Sequence, residues 1–231
     1  SIEGVEGSNY ADSIIGDSGD NRLDGRGGSD TIDGGAGTDW AEYNQATRGV
    51  VVDLSLGKAL DDGQGQGSEN PNATIEQDTL IGIENVEGGT GADSISGDSG
   101  ANELLGNAGN DTLIGGAGDD TLEGGVGNDS LVGGNGRDVA VYGGKQSDYT
   151  VTPISGDQYT VTAKGNVQVQ DRVNGLVTIN EGVDRLSGIE TLRFSDGEVP
   201  SASFNPAPSF RSWLIGSTGA GKTTTMRAIS G

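Results

Sequence analysis

Between residues 7 and 141, two stretches of the sequence are written in an unbroken frame of nine. The longer covers 88–141 as GGTGADSIS, GDSGANELL, GNAGNDTLI, GGAGDDTLE, GGVGNDSLV and GGNGRDVAV. The shorter covers 7–42 as GSNYADSII, GDSGDNRLD, GRGGSDTID and GGAGTDWAE. Position four is Gly in every block but one, and position six is Asp in every block but two. Position eight is Ile, Leu or, in the last block of each stretch, Ala. A fixed short period is the mark of a repeat architecture. It also decides how the composition is read. A chain of 231 residues with 44 Gly, 31% apolar residues and a net charge of −22 has the profile of a disordered polymer, but scattered Gly and Asp would not keep a frame.

One block explains its own residue types. Gly at positions one, two and four supplies positive φ and close backbone approach, so six residues make a tight turn. The other three, with an apolar residue in the middle, suit a very short strand with one side chain pointing inward. Two blocks make an 18-residue coil, and coils stack into a parallel β-solenoid. The expected fold is therefore all-β: two parallel β-rolls, each followed by a short β-strand flank.

Residues 18 apart then lie in adjacent coils, separated by roughly 4.8 Å. Asp93, Asp111 and Asp129 are so related, as are Asn102, Asp120 and Asp138, Asp12 with Asp30, and Asn21 with Asp39. A cation midway between two such carboxylates sits roughly 2.4 Å from each, a Ca²⁺–oxygen distance and long for Mg²⁺. Without an ion each pair repels by about 1 kcal/mol in water, and more when desolvated. A core of two modest side chains per coil, such as Leu113 and Leu122, cannot offset this, so metal binding and folding are expected to be one event. A metal-free array of capped turns is the competing reading, in which the acid files would be pure cost.

The blocks resemble the nonapeptide GGxGxDxUx of RTX proteins, the hemolysin-type calcium-binding β-rolls. The resemblance covers 90 residues directly. It implies a secreted, extracellular bacterial protein, exported unfolded by type I secretion machinery and folded outside the cell on Ca²⁺. It also implies the ligands. Each ion takes the carbonyls of positions two and four and the position-six side chain from one coil. From the next coil it takes the carbonyls of positions one and three and the position-six side chain. One site would join Gly89, Gly91 and Asp93 to Gly106, Ala108 and Asp111. The next would join Asp98, Gly100 and Asn102 to Gly115, Ala117 and Asp120. A third would join Asn107, Gly109 and Asp111 to Gly124, Val126 and Asp129, and a fourth Gly116, Gly118 and Asp120 to Gly133, Asn135 and Asp138. In the shorter stretch the sites would join Ser8, Tyr10 and Asp12 to Gly25, Gly27 and Asp30, and Asp17, Gly19 and Asn21 to Gly34, Ala36 and Asp39. That makes about six ions at most. Asn21 and Asn102 bring an amide oxygen without charge, so their sites should be weaker, and Ser8-Asn9-Tyr10 lacks the turn glycines.

The expected organisation is a first roll within 1–42, a β flank over 43–87 with a polar loop at 61–78, a second roll over 88–141, a β-rich flank or cap over 142–199, and an atypical tail over 200–231. Trp40 and Val139, with Ala41 and Ala140 behind them, read as the ends of the rolls, where side chains turn to pack on a cap; a ligand platform at Trp40 is the alternative. Val50, Val52, Leu54 and Leu56 have the period of a half-buried strand. The segments 148–154 and 158–163 flank Ser155-Gly156-Asp157 as a hairpin, and 167–171 and 177–179 continue the strand pattern. A longer repeat is superimposed: 78–84 (DTLIGIE) resembles 184–190 (DRLSGIE), and 2–7 echoes 83–88. The chain reads as part of a longer array.

In the tail, 216–223 (GSTGAGKT) fits the P-loop pattern and resembles the Walker A of an ABC-transporter ATPase, placing Lys222 and Thr223 on phosphates and Mg²⁺. No second acidic motif or α/β sheet follows it, so the tail is expected to be inert toward ATP. The absence of Cys and His removes thiol nucleophiles, His-based triads and soft-metal sites. The charge sign removes a basic nucleic-acid surface. No apolar run approaches about 18 residues, so no membrane span is expected, and residues 1–6 show neither the basic nor the apolar region of a cleavable signal. Paired carboxylates could serve glycosidase chemistry, but every well-spaced pair is already read as a metal ligand. The expected function is thus non-catalytic: a calcium-binding spacer, adhesin segment or folding and secretion aid. The alternatives are the C-terminal module of a secreted RTX protease, lipase or epimerase and, more remotely, nucleotide binding through 216–223.

Overall fold

The computed structural model describes residues 4–63, 76–171 and 175–204. Residues 205–231, with Lys222 and Thr223, lie outside them, as does most of the polar loop. Within the described residues the regular elements are β-strands and three short 3-10 turns.

Each nonapeptide contributes one strand, and successive strands alternate between two sheets. Ser94–Ser96, Thr112–Ala117 and Ser130–Asn135 pair in parallel, with Ile95, Leu113 and Leu131 aligned. Glu103–Leu105, Thr121–Glu123 and Val139–Val141 do the same on the other side, aligning Leu104, Leu122 and Ala140. Every step is 18 residues. The short stretch repeats this with Arg22–Asp24 on Trp40–Glu42 and Ser13–Ile15 on Thr31–Asp33. Position eight of every coil points between the sheets, so Leu23, Ile32, Ile95, Leu104, Leu113, Leu122 and Leu131 are fully buried. That file of single side chains is the spine of a core that also takes in Val50, Val52, Leu80, Tyr142, Tyr149 and Phe194. At 25 cal/mol per Å² a solenoid this narrow gains only a few kcal/mol of apolar burial per coil, before the entropy of ordering 18 residues is subtracted.

The two nonapeptide stretches share their sheets. Trp40–Glu42 pairs in parallel with Asn85–Glu87, which pairs in turn with Glu103–Leu105. On the opposite side Asp78–Ile81 continues Thr31–Asp33, and Lys58–Asp61 and Val51–Asp53 then bridge to Ser94–Ser96. At the far end Val183–Ser187 and Thr191–Phe194 add the next strand to each sheet. The reading of Trp40 and Val139 as roll ends is corrected by this pairing: the nonapeptide spelling stops there, but the coil stack continues, because strand pairing needs only backbone and an inward apolar residue. Trp40 is no ligand platform either. It is 9% exposed, with the Arg22 guanidinium 4.5 Å over its ring and that arginine paired with Glu42 and Glu87.

A tyrosine comes directly after each nonapeptide stretch. Tyr43 and Tyr142 lie in the core, 1% and 5% exposed, beyond the shrunken Ala41 and Ala140. Their amides donate to equivalent carbonyls, Glu87 and Arg193. Tyr142, Tyr149 and Phe194 form an aromatic cluster with ring centroids 5.1–5.7 Å apart. The hairpin forms as expected, Tyr149–Ser155 against Gln158–Ala163, and Val167–Asp171 pairs with Gly175–Ile179. The strand expected from Val50 to Leu56 ends at Asp53, whose carboxylate accepts the Leu56 amide and starts a 3-10 turn closed by Gly57 at φ +63°.

Glycine at position four is dictated by stacking. A Cβ on Gly127 (φ +146°) would lie 1.5 Å from the carbonyl oxygen of Gly109 in the coil below. Gly127→Ala should therefore cost about 3 kcal/mol or more in calcium-saturated protein. Gly156→Ala, at φ +59° with nothing within 4 Å, should cost about 1 kcal/mol. Urea unfolding of the two variants checks the difference.

Candidate metal centre

The position-six residues stack as the sequence spacing requires, and a hydrogen bond fixes each one. One oxygen of Asp111 accepts the Asp93 amide at 2.8 Å, and one of Asp129 accepts the Asp111 amide at 2.8 Å. On the other side Asp120 accepts the Asn102 amide and Asp138 the Asp120 amide, at 2.8 and 2.9 Å. Asp30 and Asp39 do the same for the amides of Asp12 and Asn21. Each acid thus reaches down one coil with Oδ1. The other oxygen is left over: Oδ2 of Asp30, Asp39, Asp111, Asp120, Asp129 and Asp138 is buried with no hydrogen-bond partner. A desolvated anionic oxygen without a partner is costly, and the same oxygen is orphaned on all six of these acids.

The turns explain where those oxygens look. A Cβ on the position-one glycine Gly115 would meet Asp120 Oδ2 at 2.3 Å and the Gly133 carbonyl of the next coil at 2.6 Å; on Gly106 it would meet Asp111 Oδ2 at 2.4 Å and the Gly124 carbonyl at 2.7 Å. Carboxylate and carbonyl oxygens converge on a pocket that only glycine leaves open. This all-oxygen donor set suits a hard cation such as Ca²⁺. Among the described residues no three acidic side chains gather on one point, so backbone carbonyls must supply much of any shell. Of the carbonyls that the resemblance assigns, those of Gly89, Asp98 and Asn107 accept from the amides of Ala108, Ala117 and Val126, and those of Val126 and Asn135 accept from Gly109 and Gly118. A carbonyl has two lone pairs, so one hydrogen bond between coils leaves each able to ligate.

The first acid of each stretch differs. Asp12 is held below the usual carboxylate range by the Ser8 amide and hydroxyl, and Oδ2 of Asp93 accepts the Gly89 amide. Asn21 and Asn102 use Oδ1 to accept the amides of Asp17 and Asp98. The Tyr10 side chain, where a turn glycine would stand, is 80% exposed.

Four further acids continue the files beyond the stretches 7–42 and 88–141. Asp78 and Asp184 accept the amides of Asp30 and Asp129 at 2.9 Å, and Glu84 and Glu190 accept those of Asp39 and Asp138 at 2.9 and 2.8 Å. The repeated DxLxGIE pattern carried the signal: its Asp and Leu have the spacing of positions six and eight, but the step from Asp to Glu is six residues where the frame has nine. Asp78 also accepts the Tyr43 hydroxyl at 3.1 Å. Buried Glu181 accepts the Tyr149 hydroxyl at 2.5 Å.

Burial pushes these acids up: Asp111 and Asp78 to about 7, Asp120 to about 6 and Asp184 to about 8. Asp30, Asp93, Asp129 and Asp138 move in the same direction for the same reason.

A family model of the RTX calcium-binding nonapeptide repeat, four copies long, matches residues 6–41, 78–113 and 105–140. The described fold is a parallel β-roll, and these segments match the RTX calcium-binding nonapeptide repeat. Among solved structures, it is similar to the extracellular lipase LipA from Serratia marcescens, at 20% identity and a TM-score of 0.18, over 86% of this chain and 39% of that one. The chain spans about two fifths of that protein's length. Comparison with curated proteins finds no match.

The raised acids fix the pH dependence of the metal-free roll. Below about pH 4, near the unfolded value of 3.8, Asp111 is neutral whether folded or unfolded. Between there and about 7 the folded chain holds a proton that the unfolded chain releases, so stability falls as pH rises, and Asp184 extends the window to about 8. In chelator the chain should retain more β circular dichroism at pH 5 than at pH 8. Calcium titration in buffers of different ionisation enthalpy should show protons released on binding.

Proposed function

We propose that this chain is a calcium-dependent β-roll module of a secreted bacterial RTX protein, itself non-catalytic, whose role is to fold where calcium is abundant and to serve as a spacer, adhesin segment or folding and secretion aid. The observation that carries the reading is the recurring unpaired Oδ2, buried and in register on six position-six aspartates. Bound calcium would supply the positive charge that neutralises the two acid files and ties each coil to the next. The residues to hold it are the position-six acids with the carbonyls of the glycine turns, and about six ions is the number the nonapeptide pairs provide for.

The chain's own contribution is positional. Each Oδ1–amide bond holds a carboxylate at the coil boundary, and the position-one glycine keeps the space beside it open. The charge of −22 keeps a chain without ligand expanded through self-repulsion, as suits a polypeptide exported unfolded. A catalytic domain elsewhere in a parent protein is the second arrangement, and none of the described residues favours it. Nucleotide binding through Lys222 and Thr223 falls outside the described residues; Lys222-dependent binding of a fluorescent ATP analogue would support it.

Excess EGTA should collapse the β circular dichroism of the calcium-loaded chain, with recovery on adding calcium back; a spectrum that does not change on chelation overturns the reading. Asn102→Asp adds a charge to a site built on an amide, and should lower the calcium concentration at the folding midpoint by roughly 2-fold to 10-fold, given about 1 kcal/mol per added ligand charge at close range.

A further inference from the structure

We propose that each DxLxGIE closure completes one further calcium site beyond the nonapeptide pairs: Asp39 with the Gly82 carbonyl and Glu84, and Asp138 with the Gly188 carbonyl and Glu190. The inference rests on the calcium reading of the nonapeptides and extends it to two glutamates: Glu84, nine residues ahead of Asp93 and inside the 78–113 match, and Glu190, outside the frame of 88–141.

Three observations converge on each place. The first is an oxygen without a partner. Asp39 and Asp138 are 1% and 0% exposed, and their Oδ2 atoms have no hydrogen bond, although these are the last position-six acids of the stretches 7–42 and 88–141. The second is a carbonyl in the right position. A Cβ on Gly34 would meet the Gly82 oxygen at 2.3 Å and Asp39 Oδ2 at 2.6 Å; on Gly133 it would meet the Gly188 oxygen at 2.0 Å and Asp138 Oδ2 at 2.5 Å. These are the neighbours that Gly115 has in a regular coil, with the closure carbonyl standing in for the next position-one carbonyl. The third is the second carboxylate. Glu84 and Glu190 accept the amides of Asp39 and Asp138, the bond by which a position-six Asp is held to the coil below.

The change from Asp to Glu has a physical reason. The closing turn is three residues shorter than a nonapeptide turn, with Ile83 and Ile189 buried in it at 7% and 2% exposure. The extra methylene lets a carboxylate reach the same amide from this tighter turn. Glu84 is half-buried and Glu190 exposed, so both places open to solvent. The Asp78 and Asp184 side of the closures is built differently, with Asp78 already accepting a tyrosine hydroxyl.

The test is ion counting. Radiocalcium equilibrium dialysis of the full chain, at the lowest calcium concentration that saturates the wild type, compares it with Glu84→Gln, Glu190→Gln and the double variant. Glutamine keeps an acceptor for the Asp amide and removes the charge. One ion fewer in each single variant and two fewer in the double variant are expected, with the β circular dichroism in calcium retained. An unchanged count in folded variants overturns the closure sites, while the wild type still fills its nonapeptide sites. A wild type that binds no calcium overturns the parent reading instead. If the double variant does not fold, each single variant, which leaves the other closure intact, decides by the same count.

Discussion

A single contact repeats through this molecule: the position-six carboxylate that accepts the backbone amide of its counterpart one coil below and keeps its second oxygen free. The first half of that contact sets the register of the stack. The second half leaves a row of buried anionic oxygens that the protein cannot satisfy from its own donors. In an ordinary domain a wide core offsets such costs. Here each coil buries one side chain per sheet, so the fold is tied to whatever neutralises the acids. Burial already drives Asp111 and Asp184 to hold protons near neutrality, and any cation placed on those oxygens would compete with the proton.

Two devices let a thin stack continue through interruptions. At the end of each nonapeptide stretch position eight shrinks to Ala41 or Ala140, and Tyr43 or Tyr142 fills the core beyond it. The chain then leaves the stack, and it returns through DxLxGIE, which restores the position-six acid and the inward Leu of one strand, then shortens the turn to reach the next. The Arg22 guanidinium lying over Trp40 and bonded to Glu42 and Glu87 fastens the joint between the first nonapeptide stretch and its closure. Surface ion pairs contribute little singly, but this one spans three adjacent strands.

Much of this was legible from spacing alone. The period of nine, with Gly, Asp and Leu at fixed places, dictates turn, acid file and core, because a two-block coil puts residues 18 apart at the inter-strand distance. The stacking of Asp93, Asp111 and Asp129 and the burial of Leu113 and Leu122 follow from that arithmetic. Where the spelling changed, the arithmetic lost its footing. Trp40 and Val139 read as roll ends because the frame stops there, whereas the sheets run on through Asn85–Glu87 and Thr191–Phe194. Strand pairing is indifferent to the side chains that spell the frame.

The sequence by itself determined the local unit, the acid files and the class of ion they suit, since all three depend on residues a fixed number of steps apart. Only the tertiary structure decided that the two stretches form one continuous pair of sheets and that Asp78, Asp184 and Glu190 join the files, whereas Glu84 falls on the period, nine residues before Asp93. It also decided which oxygen of each carboxylate is left unpaired. Those outcomes turn on where an excursion of some forty residues brings the chain back, and on which amide a given oxygen meets. Neither is set by any local period; both are set by backbone stacking across the gap.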